Sequence, residues 1–309
     1  MELSAEVEEA TWIAERLSPF GSGVVTSVVP GGFEAYARVL HPVEELRRGG
    51  YCPVRWSEVA AWSGAALTRG GQFAVIALPE HEPGGVKPWS GGGPQEGTLY
   101  RPDADALGET LALHTGTRQR CWFCMWEGWG PSSSGPRVQL PARDYLVFVG
   151  PLAAMRALVD SQEGHTPNLW WPDDHAWCVA SEIDLPWTYV GGSAALIAGL
   201  HADERLEVQP AAPAENHHRR APEWLAPAIT EAATKLLDSG EAALPPWRGT
   251  IRMQLERPQS GTDGSLRTQR ESPDGSGRGS GWMRILESDP VRLREIVTSS
   301  LTSAVIDLV

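Results

Sequence analysis

Four groups of residues in this 309-residue chain have types and spacings that could do chemistry. The first is a donor set. Cys121-x-x-Cys124 and His175-x-x-Cys178 would make a Cys3His zinc site, an accepted structural combination. Its setting works against it. Trp122 and Phe123 are strand formers, and residues three apart in a strand face opposite ways. His175 and Cys178 have the same problem. Buried thiols acting as small hydrophobes are the favoured reading, and no cofactor is expected. The second group is acidic: Asp173, Asp174, Glu182 and Asp184. Paired carboxylates exchange protons with a substrate or hold a divalent cation. The competing reading is a solvated strand end and an Asp-rich turn after Pro172.

The third group is aromatic. Trp122, Trp126, Trp129, Trp170, Trp171, Trp177 and Trp187, half of the 14 tryptophans, fall between positions 122 and 187. Most are expected in a core. Gly128-Trp129-Gly130 and Trp170-Trp171-Pro172 are turn-like settings in which full burial is difficult, so Trp126, Glu127, Trp129, Trp170 and Trp171 are the expected ligand-binding residues. The fourth group is Gly191-Gly192-Ser193, a turn that could present a helix N-terminus to an anion. It lacks the Gly-x-x-x-x-Gly-Lys pattern. The chain also has no Gly-x-Ser-x-Gly and no His-Glu-x-x-His, so the commonest hydrolase signatures are absent.

These residues must be positioned by alternating helices and strands. Residues 5–17 place Val7, Ala10, Ile13, Ala14 and Leu17 on one helical face. Val24–Val29 and Phe33–Leu40 read as strands joined across Pro30-Gly31-Gly32, and Phe73–Leu78 as a short apolar strand. Helices are expected after Ser57, Asp103 and Ser193, which can cap them, and near 152–159. Strands are expected near 119–126, 144–149, 176–184 and 206–209. On the strand 176–184, Trp177, Val179 and Ile183 share one face, while Cys178, Ala180, Glu182 and Asp184 share the other. Further on, 224–238 reads as a helix stopped by Gly240, and Thr250–Glu256 alternates cleanly. Residues 258–281 have no periodicity and read as a disordered loop before a strand at 282–286. Asp289-Pro290 suits the start of a last helix.

Charge divides the chain as well. Of 26 basic and 39 acidic residues, 14 and 27 lie in residues 1–218, and 12 and 12 in the remainder. The whole net charge of −13 is therefore carried by the first part. The change falls at a Pro/Ala-rich stretch, so the expected organisation is a domain at 1–209, a linker at 210–221 and a small α+β module at 222–309. The class is α+β, with a mixed or antiparallel sheet and flanking helices. So acidic a chain does not suit nucleic acid, whose phosphates need clustered Lys and Arg. The N-terminus is acidic rather than basic and apolar, and no run approaches the ~20 residues of a membrane helix, so the chain reads as soluble and cytoplasmic.

Two segments are the most distinctive, HTGTRQRCWFCMWEGWG (114–130) and PNLWWPDDHAWCVASEIDLPWTYVGG (167–192). Over roughly residues 10–210 the chain resembles a family of uncharacterised actinobacterial proteins. That resemblance implies a bacterial group and a domain extent, with no activity or site residues to carry over. The leading expectation is a non-enzymatic binding domain whose acidic, Trp-lined groove, between the strands near 121–129 and 170–184, takes another protein or a small polar ligand. A hydrolase-like enzyme using the paired carboxylates, with or without a divalent metal, is the alternative. A structural Cys3His zinc domain is the second.

Overall fold

A computed structural model of the chain describes all residues except 49, 80–82, 84, 91, 130–134, 141–142, 162–163, 218–223, 245–249, 257–263, 272–277, 286–289 and 307–309. The elements are, in order, β1 (Glu2–Leu3), α1 (Thr11–Arg16), β2 (Ala35–Leu40), β3 (Val43–Arg47), β4 (Gly50–Val54), α2 (Trp56–Ser63), α3 (Phe73–Ile76), α4 (Arg101–Ala112), β5 (Cys121–Trp126), β6 (Arg137–Leu140), β7 (Arg143–Gly150), α5 (Met155–Ser161), β8 (Leu169–Pro172), β9 (Cys178–Ala180), β10 (Trp187–Gly192), α6 (Ala194–Ala202), β11 (Val208–Ala211), α7 (Ala226–Ser239), β12 (Glu241–Leu244), β13 (Thr250–Glu256), β14 (Gly264–Glu271), β15 (Arg278–Ile285) and α8 (Pro290–Ile306). Every pairing between these strands is antiparallel, which makes the fold α+β as expected. No described helix is long and apolar enough to cross a membrane.

The chain divides into two units. One comprises residues 1–62, 66–73 and 84–218; the other comprises 63–65, 74–83 and 219–309. The first unit is built on a sheet of order β1-β7-β5-β8-β9-β10-β2-β11, with β6 also paired to β7. Strand alternation sends Cys121, Phe123, Met125, Trp170, Val179, Val190, Ala37 and Val39 to one face. There they pack with Leu107 and Leu111 of α4, Met155 and Leu158 of α5, and Leu196 and Leu200 of α6. The other face carries Trp122, Trp171 and Tyr189, all buried. The N-terminal stretch covers it: the Trp12 ring stands edge-on to Trp171 at 6.2 Å and to Phe33 at 6.2 Å. Cover on both faces explains the near-continuous apolar reading of β5 and β8. Burying one large apolar side chain stabilises by roughly 1.5–3 kcal/mol.

Local signals explain two of the helix ends. The Ser193 hydroxyl accepts the Leu196 N–H and starts α6. Gly240, at φ +79°, returns its N–H to the Leu236 carbonyl and stops α7. At α2 the cap is distant in sequence: the Glu207 carboxylate accepts the N–H groups of Trp56 and Ser57 at 2.7 and 2.8 Å. Ser57 is thus inside the helix rather than its cap.

Several expectations fail, each for a physical reason. Val24–Val29 is not a strand. Val25–Ser27 forms a 3-10 turn, and the Val25 and Thr26 N–H groups bond to the Glu215 and Pro213 carbonyls instead of a ladder. Phe73–Leu78 opens with helix α3, because a short apolar run has no period that separates helix from strand. The expected strand 176–184 shrinks to β9, which ends at Ala180. The expected linker 210–221 is partly structured: Pro210 and Ala211 belong to β11, and His217 N–H bonds to the Gly23 carbonyl.

The second unit contains the sheet β12-β13-β14-β15 with α7 and α8. Ile229, Leu236, Ile251, Met253, Leu255, Leu266, Leu293 and Val297 share its core. The loop expected at 258–281 instead carries β14 and the start of β15. Leu266 pairs across from Leu255 and is buried, but it is the one bulky aliphatic residue of β14, too sparse a pattern to read as a strand. Asp289 and Leu286, singled out as a cap and a strand residue, lie outside the described residues.

Candidate functional site

The nominated residues lie at two opposite ends of the first unit's sheet. The register of β5 on β8, with Cys121 opposite Pro172 and Cys124 opposite Leu169, sets this. Cys121, Asp173, Asp174 and His175 stand at one end. Trp126, Glu127, Trp129, Glu182 and Asp184 stand at the other, about 16 Å away at ~3.3 Å per residue. Because β5 and β8 are hydrogen-bonded neighbours, no groove opens between the Trp-rich strands. Trp170 and Trp171, expected to bind a ligand, are fully buried, on opposite faces of the sheet.

The cysteine end holds no zinc set. Cys121 faces the helices, whereas alternation puts Cys124 on the other face of β5. Among the described residues no group of three or more His, Cys, Asp or Glu is placed to hold a metal. Burial pushes the Cys121 thiol up to about 12 and raises Cys124 and Cys178 as well, so all three stay protonated and inert. His175, at φ +52°, stacks on Trp12 at 4.4 Å, and burial lowers its pKa.

The acidic residues at this end have structural partners. Asp173 accepts from Arg120 at 3.1 Å and from the Trp122 indole N–H at 3.2 Å. Asp174 organises a turn. It accepts the Thr115 hydroxyl and the backbone N–H groups of Gly116 and Ala176. Burial alone would raise its pKa, but these donors hold it below the usual carboxylate range. Gly191 and Gly192, expected as a turn, are instead the last residues of β10, paired with Tyr36 and Ala35, and their lack of a side chain serves packing: a Cβ on Gly191 would lie 2.4 Å from the Phe33 ring, and one on Gly192 2.6 Å from Leu196.

The opposite end is more open. Trp126 and Trp129 are half-buried and meet edge to face at 5.9 Å. Trp129 also stacks on His165 at 4.2 Å, whose Nδ1 lies 3.0 Å from the Thr98 hydroxyl. Two glycines make room. A Cβ on Gly128 would meet the Trp126 ring at 2.4 Å, and one on Gly97, at φ +70°, would lie 2.7 Å from the Ile183 Cα and 2.8 Å from Trp129. The Asn168 side chain braces the corner, accepting the Trp126 N–H at 2.8 Å and donating to the Ser181 carbonyl at 3.1 Å.

Arg143 organises the carboxylates here. Its Nε and Nη2 donate to Glu182 Oε1 at 2.9 and 2.6 Å, and Nη2 donates to Asp184 Oδ2 at 2.9 Å. Its guanidinium also lies over the Trp126 ring, 5.6 Å from the centroid. Burial alone would lower its pKa, yet Glu182 and Asp184 more than reverse this and raise it. Glu127 pairs with Arg137 at 2.5 Å. Arg143 and Glu182 line a cavity of about 40 Å³ together with Tyr145, Asn168, Ser181 and Phe20. Sequence reasoning missed Arg143, since nothing local ties it to carboxylates 39 and 41 positions later. It also missed a buried chain near the same end, in which His41 bridges the Gln95 carbonyl and the Thr188 hydroxyl, and Thr188 meets Ser181 at 2.6 Å. Compared with family models, curated proteins and solved structures, the chain has no significant match.

Proposed function

We propose that this chain is a non-catalytic binding module that takes a cationic segment of another protein at the Trp126–Trp129 corner. One observation carries the reading: two half-buried indoles meet at a strand end beside Glu127, Glu182 and Asp184. Aromatic faces attract cations through their quadrupole, and Arg and Lys side chains supply both the charge and an apolar stem. The first part's excess of acid over base steers such a partner towards it. Asp184 is 75% exposed, so it meets the partner directly. In this reading the carboxylates serve as fixed hydrogen-bond acceptors for the partner's cations.

The test is a fluorescence titration at low salt with capped tetra-arginine and, as a control, capped tetra-glutamate. Wild-type protein should bind only the basic peptide. Trp129→Ala and Asp184→Asn should each weaken binding about tenfold, the scale of an interface contact worth ~1.4 kcal/mol. Equal binding by both variants would sink the assignment of the corner.

A further inference from the structure

We propose that Arg143 is a tethered occupant of the cation subsite, a side chain that a partner's guanidinium must displace; this rests on the reading above. The corner already holds a cation. Arg143 is gripped by two carboxylates and an indole face, the combination of groups that selects a guanidinium. The subsite shows what it binds by binding a piece of its own chain.

The receiving groups are fixed independently of Arg143. Trp126 N–H is held by Asn168, Glu182 follows directly on Ser181, whose N–H bonds to the Asn168 carbonyl at 2.7 Å, and Asp184 N–H donates to Glu182 Oε2 at 2.7 Å. The grip on Arg143 falls short of the best available geometry. Two of its nitrogens share the single oxygen Glu182 Oε1, whereas the strongest guanidinium–carboxylate pairs use two oxygens in parallel. Asp184 offers its second oxygen, Oδ1, which accepts no hydrogen bond from the described residues, on a side chain that is mostly exposed. Arg143 also lines the cavity it shares with Tyr145 and Ser181, so part of the arm borders space rather than packed side chains. An incoming arginine therefore gains the pair that Arg143 gives up, plus the free oxygen of Asp184.

A tethered competitor lowers apparent affinity through its effective concentration, which reaches the millimolar range for short tethers. The experiment titrates capped tetra-arginine into wild type, Arg143→Met and Glu182→Gln, following indole fluorescence. Methionine keeps a stem over Trp126 and removes the charge. The expected result is binding at least tenfold tighter in Arg143→Met than in wild type, and strongly reduced binding in Glu182→Gln. In wild type, the Arg143 Nε–H resonance should shift and exchange faster with water as peptide saturates the protein. Equal or weaker binding by folded Arg143→Met overturns the tethered-occupant proposal and leaves the binding function standing. No response from wild type or Arg143→Met removes both. If Arg143→Met does not fold, the wild-type resonance decides: an Nε–H signal unmoved at saturating peptide overturns the proposal.

Discussion

Acid should destabilise the first unit through one histidine. His41 is 1% exposed. Its Nδ1 lies 2.7 Å from the Gln95 carbonyl, which can only accept, so Nδ1 carries the proton. Nε2 then accepts the Thr188 hydroxyl at 2.9 Å, and Thr188 accepts from Ser181. The ring is neutral, and a second proton would reverse this chain at a buried site. Burial accordingly pulls its pKa from 6.5 down to about 4. The unfolded chain binds a proton between those values and the folded chain does not, so stability falls as pH drops from 6.5 towards 4 and is undiminished above 6.5. At about 1.36 kcal/mol per unit the whole window is worth about 3 kcal/mol, and about 2 kcal/mol is gone by pH 5. The assay is urea unfolding at pH 7.5 and pH 5, in wild type and His41→Gln. Eleven of the 14 tryptophans lie in the first unit, so indole fluorescence reports its transition. Burial raises the pKa of Asp103 and of Glu44, which work in the opposite direction, but they are common to both proteins and cancel in the comparison. Wild type should lose about 2 kcal/mol more than His41→Gln on acidification. An equal loss in both would refute the assignment of His41 as a buried neutral base.

Other expectations follow from the packing. Arg55 makes a two-pronged pair with Asp103, which is 1% exposed; Arg55→Met should cost about 3 kcal/mol in urea unfolding, because it strands a buried carboxylate. Gly97→Ala should destabilise the first unit and shift its indole emission, since the new Cβ collides with backbone at Ile183 as well as with Trp129. Ellman's reagent should modify Cys52 quickly and the other three thiols only on unfolding; rapid release of more than one equivalent from native protein would contradict their burial. Leu266→Ala should cost about 2–5 kcal/mol in the second unit, whereas no measurable effect would mean that β14 is not part of its core.

Much of the fold was legible in local pattern. The Gly240 stop, the Ser193 cap and the β13 alternation each follow from a few adjacent residues, and each appears in the structure. The site was legible only in part. Composition marked β5 and β8 as Trp-rich, but whether a tryptophan is covered depends on what packs over its face. Trp171 disappears under Trp12, some 160 positions away, and Trp170 under the helices. Trp126 and Trp129 stay accessible because they sit where the strand ends. The acidic residues that looked like one cluster in the sequence belong to opposite ends of the sheet, because β8 and β9 run antiparallel.

What the sequence determined by itself was the α+β class, the concentration of negative charge in the first 218 residues and the position of most helices. Those depend on residue types and on periods of two and 3.6, which any short stretch carries. The tertiary structure alone decided which indoles remain partly exposed, which arginine meets Glu182 and Asp184, and which histidine is kept neutral. Each of these depends on what lies across a strand pair or beneath a covering segment, and no local pattern encodes those distances.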